Sequence, residues 1–361
     1  MSEIVFILGA GASRDAGAPL IADFLDRADL LRRSGKVNEV KPHFDRVFDA
    51  ISQLQAIQAK AHLDLYNIES VFAAFEMGKL IGKLPGIKSE EIESLLESMR
   101  WLILKTLQET VKYTKRGGHI DPDDSYRRFV KLLAEFNSTP RQDRCSVITF
   151  NYDVALDYAL RHQKQEIDYC FGRKMPSQIS LMKLHGSVNW ARCLRCGVIP
   201  RDILTFVAEN DFTGIRDLTR VTLPLVSRLW TAKDKCGCGG DIEPVPVIVP
   251  PTWNKTQAQQ ELSAVWARAG AELSDAENIF VSGYSLTETD LFFRYLYAIG
   301  AVGKSMIKRF WVFDPDESGV VQERFRKLVG QATLSKFRCE KLTFIQAIDF
   351  VEKELKADLR I

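Results

Sequence analysis

The stretch from Ile4 to Pro19, IVFILGAGASRDAGAP, decides the predicted fold of this chain. A short β-branched run ends in a glycine-spaced turn and leads into an amphipathic segment, which predicts a strand, a tight loop and a helix beginning near Pro19. Gly9 and Gly11 let the backbone turn sharply and bring its N–H groups close to phosphate oxygens, and a helix N-terminus favours the same anion. The stretch therefore predicts a loop that holds a pyrophosphate.

Length and composition limit the classes of protein that fit the chain. Its 361 residues suffice for one large domain with insertions or for two domains, and 46% of them are hydrophobic. Lys and Arg number 49 against 47 Asp and Glu, so bulk charge gives no reason to expect direct binding to nucleic acid or to an anionic membrane. Because we find neither a membrane-length apolar run nor a signal peptide, we expect a cytoplasmic protein.

Two types of periodicity divide the rest of the chain. Helical spacing of apolar residues dominates from about Asp23 to Phe136, whereas short apolar strands alternate with helices from Cys145 onward. The predicted core strands after the first are CSVITF, ISLMKL, VPVIV, NIFVSG and RFWVF. Such an alternation is typical of a parallel sheet that is covered by helices on both faces. The last forty residues have a helical pattern, and we expect them to pack on that sheet.

Four of the seven cysteines form two close pairs, Cys193 with Cys196 and Cys236 with Cys238. A glycine follows each pair, so backbone N–H groups can turn toward the thiolate sulfurs, as in a tetrahedral zinc site. The second pair has one intervening residue where two are usual, and about forty residues separate the pairs. We favour a structural zinc site over scattered reduced thiols. A catalytic zinc is disfavoured because four cysteine ligands leave no open position.

These patterns together define the predicted organisation. The fold class is α/β, with a Rossmann-like parallel sheet, helices on both faces, a helical insertion and a small zinc-ribbon-like module. The Rossmann-like domain comprises residues 1–30, 141–190 and 244–361. The helical insertion covers 31–140, and the four-cysteine module covers 191–243.

Three short polar segments follow predicted strands, at the edge where ligands gather in open α/β sheets. They are TFNYD at Thr149 to Asp153, KLHGS at Lys183 to Ser187 and GYS at Gly283 to Ser285. A single segment of this kind is most often a helix start, and Asp153 can cap the helix after it. Likewise, Thr287 and Asp290 have the spacing of a capping box. Together with the glycine loop, however, the three segments favour one shared binding site.

The four segments resemble the motifs of the sirtuin family, in the family's order. GAGASRDAGAP is similar to the loop GAGxSxxxGxP, TFNYD to TQNxD, KLHGS to the HG motif and GYS to the GTS motif, and a four-cysteine module interrupts them. A narrower group within the family is indicated by four segments that resemble the sirtuin-like domains of bacterial antiviral defence proteins. These segments are NIESVFAAF, KLHGSVNW, VPPTWNK and GYSLTETDLFFRYL. The resemblance implies a Rossmann-like NAD-binding fold and, for the narrower group, NAD hydrolysis that starves an infected cell.

The resemblance also implies roles for individual residues. Asn151 would orient the nicotinamide riboside and the attacking water, His185 would act as general base, and Asp153 would orient either group. The implied cofactor-binding residues are Gly9, Ala10, Gly11, Ala12, Ser13, Gly17, Gly283 and Ser285. Asp314, at the end of RFWVFD, can bind the adenosine ribose hydroxyls or simply begin a turn, and both alternatives stay open.

These residue types suit cleavage of the bond between nicotinamide and ribose. The leaving group is a neutral pyridine, so the site needs no acid of the kind that glycosidases use. The amide of Asn151 can donate and accept hydrogen bonds, and a neutral imidazole at His185 can remove a proton near neutral pH. A lone histidine at a strand end is more often structural, so the catalytic interpretation of His185 depends on its motif.

The sequence departs from the family at two points. Sirtuins follow their glycine loop with Asp-Phe-Arg, whereas residues 19–25 are PLIADFL. Arg14 can substitute for the missing arginine or be a solvated loop residue, and both alternatives stay open. Deacylating members pair a Phe-Gly-Glu segment with the acyl-lysine peptide, but residues 245–255, VPVIVPPTWNK, lack the glycine and the carboxylate. Water is therefore the favoured acceptor. Trp190 and Trp253 can wall the pocket or pack in the core.

The sequence as a whole predicts an NAD hydrolase that produces nicotinamide and ADP-ribose and serves as an antiviral NAD-depleting effector. The alternatives are an NAD-dependent protein deacylase or ADP-ribosyltransferase, and a non-catalytic sensor of NAD or ADP-ribose. The expected ligands are NAD as substrate and a structural Zn²⁺. Members of the group are often inactive until they assemble or are triggered. We therefore expect the activity to be controlled by a homo-oligomer or by a partner such as a hexameric ATPase or an Argonaute-like protein. The helical insertion is the expected contact surface.

Overall fold

The computed structural model of the chain describes residues 3–56, 63–138, 145–173, 177–201, 215–223, 235–249, 262–287, 290–300, 302–303 and 305–359. Its helices are α1 Phe24–Arg33, α2 Lys41–Ala56, α3 Ile68–Ile81, α4 Ile92–Thr110, α5 Asp124–Asn137, α6 Ala155–His162, α7 Ser263–Asp275, α8 Leu291–Gly300, α9 Val320–Leu328, α10 Gln331–Leu334 and α11 Phe344–Leu359. None of the helices in these ranges combines the length and the apolar character needed to cross a bilayer.

The strands of the same ranges form one large sheet and three small ones. They are β1 Ile4–Leu8, β2 Tyr113–Arg116, β3 His119–Asp121, β4 Cys145–Thr149, β5 Ile167–Asp168, β6 Ile179–Lys183, β7 Gly186–Ser187, β8 Trp190–Cys193, β9 Gly197–Pro200, β10 Arg220–Val221, β11 Val247–Ile248, β12 Asn278–Ser282, β13 Arg309–Phe313 and β14 Phe337–Glu340.

The large sheet has seven strands in the order β14-β13-β12-β1-β4-β6-β5, and every neighbouring pair is parallel. In its centre, Ile4 lies opposite Asn278 on one side and Cys145 on the other. Every residue of β1, β4, β6 and β12 is buried, as expected for strands with helices on both faces. The predicted Rossmann-like parallel sheet is confirmed.

Two apolar clusters cover the two faces of this sheet. One contains side chains of α5, α6 and α11 and continues into the helices α1 to α4, which pack on one another. The other contains side chains of α7, α8 and α9, such as Val265, Phe293 and Phe325. The strand order reverses between β1 and β12, because the chain adds β4 to β6 on one side of β1 and β12 to β14 on the other. Ligands of open α/β sheets bind at such a switch point.

The structure corrects several details of the sequence interpretation. VPVIV contributes only β11, which pairs antiparallel with β7 outside the large sheet, and Pro246 in this segment lacks the N–H that a central strand must donate. The predicted helical tail contains an edge strand, β14. The helical stretch before Phe136 contains the β2–β3 hairpin, which pairs with β10 in a three-stranded sheet. The domain boundaries stay a prediction.

The opening loop also differs from its prediction. A short 3₁₀ helix, Ala10–Ser13, follows β1 directly, and α1 begins at Phe24 rather than near Pro19. Between them the Asp23 carboxylate accepts a hydrogen bond from the Leu20 N–H at 2.6 Å, which fixes a turn where a continuous helix was expected. The glycines Gly9 and Gly11 nevertheless stand at the carboxyl end of β1, as predicted.

The loops that leave β1 and β12 touch each other at the switch point. Gly11 N–H donates to the Gly283 carbonyl at 2.9 Å, and Gly9 N–H donates to the Ser282 carbonyl at 3.1 Å. A Cβ on Gly283 would lie 2.3 Å from the Ala12 nitrogen, and Gly283 has a φ of +63°, which side chains rarely adopt. Because both loops lack side chains at the contact, the two backbones can approach this closely.

We expect Gly283→Ala to destabilise the fold more than Gly82→Ala does. Gly82 ends α3 with a φ of +66° but has no atom within 4 Å of an added Cβ, so it isolates the backbone cost of about 1–2 kcal/mol. Crowding against Ala12 should add about 1–3 kcal/mol at Gly283. Urea denaturation followed by circular dichroism measures both losses, and equal losses would contradict the close-contact explanation.

Candidate active site

Two adjoining cavities open at the carboxyl edge of the sheet, beside the glycine contact. The larger has a volume of about 470 Å³, and the smaller has a volume of about 70 Å³ and a mainly apolar lining. Residues from the loops after β1 and β12 and from the start of α8 line both cavities, namely Ala10, Ile21, Tyr284 and Asp290. The two spaces therefore meet at the switch point of the sheet.

The structure brings most of the predicted cofactor-binding residues to these cavities. The larger one is lined by Ala10, Gly11, Gly283, Ser285 and Asp314, and Gly9 and Ala10 line the smaller one. The remaining three predicted residues, all described, line neither cavity. Ala12 is buried, Ser13 Oγ lies 2.7 Å from the Tyr126 hydroxyl, and Gly17 packs so closely that a Cβ would lie 2.5 Å from the Thr110 carbonyl oxygen.

Asn151 ties the glycine loop to the loop that follows β4. Its Nδ2 donates to the Gly9 carbonyl at 2.9 Å and to Ser13 Oγ at 3.0 Å, while its backbone N–H donates to Thr149 Oγ1 at 3.1 Å. Asn151 also lines the smaller cavity. Since both N–H bonds of the amide are engaged by the loop, Oδ1 is the polar atom that the side chain retains for a ligand.

Asp153 has a structural role and also lines the smaller cavity. Its Oδ1 accepts the N–H of Ala155, the first residue of α6, at 3.0 Å, although the N-cap position is Val154, one residue later than the sequence indicated. Burial raises the pKa of this carboxyl group, and the nearby positive charge of Lys183 opposes that shift. Asp153 is therefore a buried acid whose charge depends on Lys183.

A buried network fixes the backbone beneath these residues. Lys183 is 1% exposed, and its Nζ donates to the Asp153 carbonyl at 2.6 Å and to Asp157 Oδ2 at 2.9 Å. The Tyr169 hydroxyl donates to the other oxygen of Asp157 at 2.6 Å. A charge this deep is tolerated because it is paired and hydrogen-bonded. Through the Asp153 carbonyl, Lys183 holds the loop that carries Asn151.

His185 lies behind the cavities rather than on their surface. Its ring contacts Phe150, with 5.1 Å between ring centroids, and Tyr152, with 6.1 Å. Burial lowers the pKa of His185 to about 3, so the ring is neutral at physiological pH. Its carbonyl accepts the Val249 N–H at 2.9 Å, which joins it to the β7–β11 pair. His185 is a described residue, and it lines neither of the two cavities.

Asp290 and Glu69 are two acidic residues of the site whose importance the sequence interpretation missed. Asp290 directly precedes α8, which begins at Leu291. Thr287 Oγ1 lies 3.2 Å from Asp290 Oδ2, and this is a side-chain contact in the loop rather than the expected capping box. Asp290 is nevertheless buried, and it lines both cavities. Glu69 lines the smaller cavity from the first turn of α3, where Asn67 Oδ1 caps the helix by accepting the Glu69 N–H at 2.8 Å. Both acids are distant from Asn151 in the sequence, and the fold brings all three residues to the smaller cavity.

The remaining candidates for the pocket wall are Arg14, Trp190 and Trp253, and their positions differ. Arg14 is exposed and lines the larger cavity, where residues 20–22 also lie. Trp190 is fully buried against Tyr169 and Phe171, so it packs in the core. Trp253 lies outside the described residues.

The four paired cysteines converge at the β8–β9 hairpin. Their Sγ atoms all lie within 4.8 Å of one another, and Cys193 and Cys238 are 3.5 Å apart. A tetrahedral Zn²⁺ with bonds of 2.3 Å separates its sulfurs by about 3.8 Å, so the cluster has a compatible size. The Arg195 N–H lies 3.4 Å from Cys193 Sγ and is the main cause that lowers the pKa of Cys193 to about 6. A Cβ on Gly240 would lie 2.7 Å from the same sulfur.

Comparisons with known proteins give distant matches among solved structures. No protein-family model matches the chain, and no curated protein matches it. A Sir2 homologue in complex with NAD is 14% identical, with a TM-score of 0.45 over 99% of this chain and 90% of that chain. A mutant Sir2 homologue with ADP-ribose is 15% identical, with a TM-score of 0.43 over 99% and 93%. These matches describe a distant similarity, and the fold assignment depends on the strand order and register.

We expect the cysteine cluster to hold one structural Zn²⁺ per chain. Cys196→Ser should abolish the bound zinc and lower the melting temperature, because three thiolates are left to hold the ion. Cys339→Ser, in the edge strand β14, is the matched control and should retain the metal. Metal analysis by inductively coupled plasma mass spectrometry measures both. Equal zinc content in the two variants, or none in the unmodified protein, would contradict this assignment.

Proposed function

We propose that the chain is a sirtuin-like NAD glycohydrolase, which cleaves NAD with water to nicotinamide and ADP-ribose. The observation that carries the proposal is the meeting of two unlike cavities at the switch point of the sheet. One is large and bordered by glycine backbone, and the other is small, mainly apolar and bordered by Asn151, Asp153 and Asp290. The sequence resemblance to the sirtuin motifs supports the same proposal, because the matching segments form this edge.

The larger cavity is suited to ADP-ribose. The loops at Gly11 and Gly283 border it with backbone that a diphosphate can approach, and Arg14 adds a positive charge. At its other end lies Asp314, whose Oδ1 accepts the Asp316 N–H at 3.0 Å. The turn explanation of Asp314 is thus correct, and we propose that Asp314 Oδ2 also binds the hydroxyls of the adenosine ribose.

The smaller cavity is suited to the nicotinamide riboside. Its apolar walls, which include Phe72 and Phe150, can receive a flat ring, and Asn151 Oδ1 can accept a hydrogen bond from the carboxamide. As the bond between ribose and nicotinamide breaks, positive charge develops on the ribose. Fixed negative charge on Asp153, Glu69 or Asp290 would stabilise that charge in a site sheltered from water.

We expect the purified protein to release nicotinamide and ADP-ribose from NAD without any peptide. Asn151→Ala should lower kcat/KM by about 10²- to 10³-fold, because the variant loses the amide that orients the riboside. Asp49→Asn, on the exposed side of α2, is the control and should match the unmodified protein. Chromatography of the products measures these rates, and melting temperatures check that each variant is folded.

The same assay with an acylated lysine peptide separates the alternative functions. Nicotinamide release only in the presence of peptide would identify a deacylase and refute the hydrolase. Transfer of labelled ADP-ribose to a protein would identify an ADP-ribosyltransferase. Binding of NAD without release under any condition would leave only the sensor.

We further propose, from the sequence resemblance, an antiviral role that depends on assembly. The end of α3 supports a contact surface in the helical insertion, because Met77, Leu80 and Ile81 are 44%, 60% and 64% exposed. A homo-oligomer would cover these side chains, and a hexameric ATPase or an Argonaute-like protein is the alternative partner.

For this role we expect phage infection to lower cellular NAD when the unmodified chain is expressed, but not with Asn151→Ala. Light scattering of the purified protein tests assembly, and Leu80→Glu should favour the monomer. A monomer that is fully active by itself would contradict control by assembly.

A further inference from the structure

The carboxylate of Asp290 lies between His185 and the two cavities. Asp290 Oδ1 is 3.6 Å from His185 Nε2, and the two side chains are 4% and 6% exposed. Asp290 lines both cavities, whereas His185, although fully described, lines neither. A substrate in these cavities would therefore contact Asp290 before it could contact His185.

We propose that Asp290 and His185 act as one proton-accepting pair, in which Asp290 is the catalytic residue that contacts the attacking water and His185 is its positioning partner. The inference rests on the proposed NAD hydrolysis. It also changes the roles that the sequence resemblance implied, because the general base facing the substrate is then the aspartate that precedes α8.

The contacts of Asp290 support this division of roles. Its Oδ2 faces Thr287 Oγ1 at 3.2 Å, and its backbone N–H donates to the Thr287 carbonyl at 3.1 Å, so the side chain is fixed from the loop after β12. The 3.6 Å separation from Nε2 is longer than a hydrogen bond. Catalytic hydrogen bonds are often long before substrate binds, and a shift of a few tenths of an ångström would close this one.

The surroundings of the pair keep His185 neutral and leave Asp290 as the proton acceptor. Phe150 and Tyr152 shield the His185 ring, and burial lowers its pKa to about 3, so the neutral ring can offer its Nε2–H to the Asp290 carboxylate. Burial also raises the pKa of Asp290 to about 6, which suits a base near neutral pH.

Other titratable groups also face the pair. Tyr152 and Tyr284 are neutral, because burial raises the pKa of each well above its ordinary value. Glu69 from α3 and Asp153 from the loop after β4 are further acidic residues at the smaller cavity, and burial raises the pKa of Asp153. Arg294 from α8 favours the ionised form of Asp290. The apparent pKa of the pair therefore belongs to this whole set.

The proposed step balances as follows. The bond between C1′ of the ribose and the nicotinamide nitrogen breaks, and its electron pair leaves with neutral nicotinamide. The water oxygen forms a bond to C1′, and one water proton passes to the Asp290 carboxylate, which the neutral Nε2–H of His185 orients. Release of that proton to solvent completes the conversion of NAD⁺ and water to nicotinamide, ADP-ribose and H⁺.

Asp290→Asn tests the pair with almost no change of shape. We expect it to lower the rate of NAD hydrolysis by about 10²- to 10⁴-fold, because the amide cannot accept the proton. Binding of ADP-ribose, measured by calorimetry, should be retained. The unmodified rate should fall as pH decreases through about 6, since Asp290 becomes protonated there, and the residual rate of the variant should lack this fall. Asp49→Asn is again the control.

A second measurement does not depend on turnover. The chain has five histidines, so the imidazole signals of His185 can be assigned in NMR spectra by comparison with His185→Gln. In the unmodified protein the ring signals should shift with pH near 6 as the neighbouring carboxylate titrates, and in Asp290→Asn this shift should disappear.

The outcomes distinguish the two proposals. If the unmodified protein releases no nicotinamide under any condition, NAD hydrolysis fails, and the NMR titration alone decides whether the pair exists. If the protein is active and Asp290→Asn keeps both the rate and its fall at low pH, the pair is overturned. A His185 signal that does not respond to pH near 6 in the unmodified protein also overturns it.

Discussion

The backbone contact between the loops at Gly11 and Gly283 is the constraint on which the site depends. Neighbouring parallel strands end side by side, and the chain leaves β1 and β12 in different directions, so their loops can meet only if no side chain intervenes. Here they meet through a 2.9 Å hydrogen bond. The Gly9 carbonyl then becomes available to Asn151, and Tyr284 is placed where the two cavities join. The ends of β1, β12 and β4 are thus held at one point by hydrogen bonds to main-chain carbonyls.

Beneath that contact, buried charged residues support the site together with the apolar side chains around it. Lys183 is at the end of β6, and its hydrogen bonds reach Asp157 and the carbonyl of Asp153. A hydrophobic replacement of such a pair is often neutral or stabilising, so the network is not there for stability alone. Its directional hydrogen bonds fix the loop between Thr149 and Asp153 in one conformation. We regard this as the physical reason why a fully buried strand ends in lysine.

Much of the fold could be predicted from the sequence, because the strands β1, β4, β6, β12 and β13 are short apolar runs whose environment is uniform. The hairpin β2–β3 and the edge strand β14 could not, since YTKR, HID and FRCE are only partly buried and are not apolar runs. The convergence of TFNYD, KLHGS and GYS followed from the shared edge of parallel strands. The placement of Asp290 did not, because the spacing of Thr287 and Asp290 indicated a helix cap, whereas in the structure the two residues contact each other in the loop before α8. A local contact of one carboxylate oxygen does not show what the other oxygen of the same group faces.

Helix α3 joins the site to the protein surface. Glu69 and Phe72, near the beginning of the helix, line the smaller cavity. The helix has 14 residues and is about 20 Å long, and its far end carries the exposed Leu80 and Ile81. A helix moves largely as a unit, so a ligand that shifts its first turn also changes the presentation of its last. By thermodynamic linkage the effect is mutual for any partner whose binding at that end depends on the position of α3. Such a partner changes the affinity of the protein for the cavity's ligand by a certain factor, and the ligand changes the affinity for the partner by the same factor.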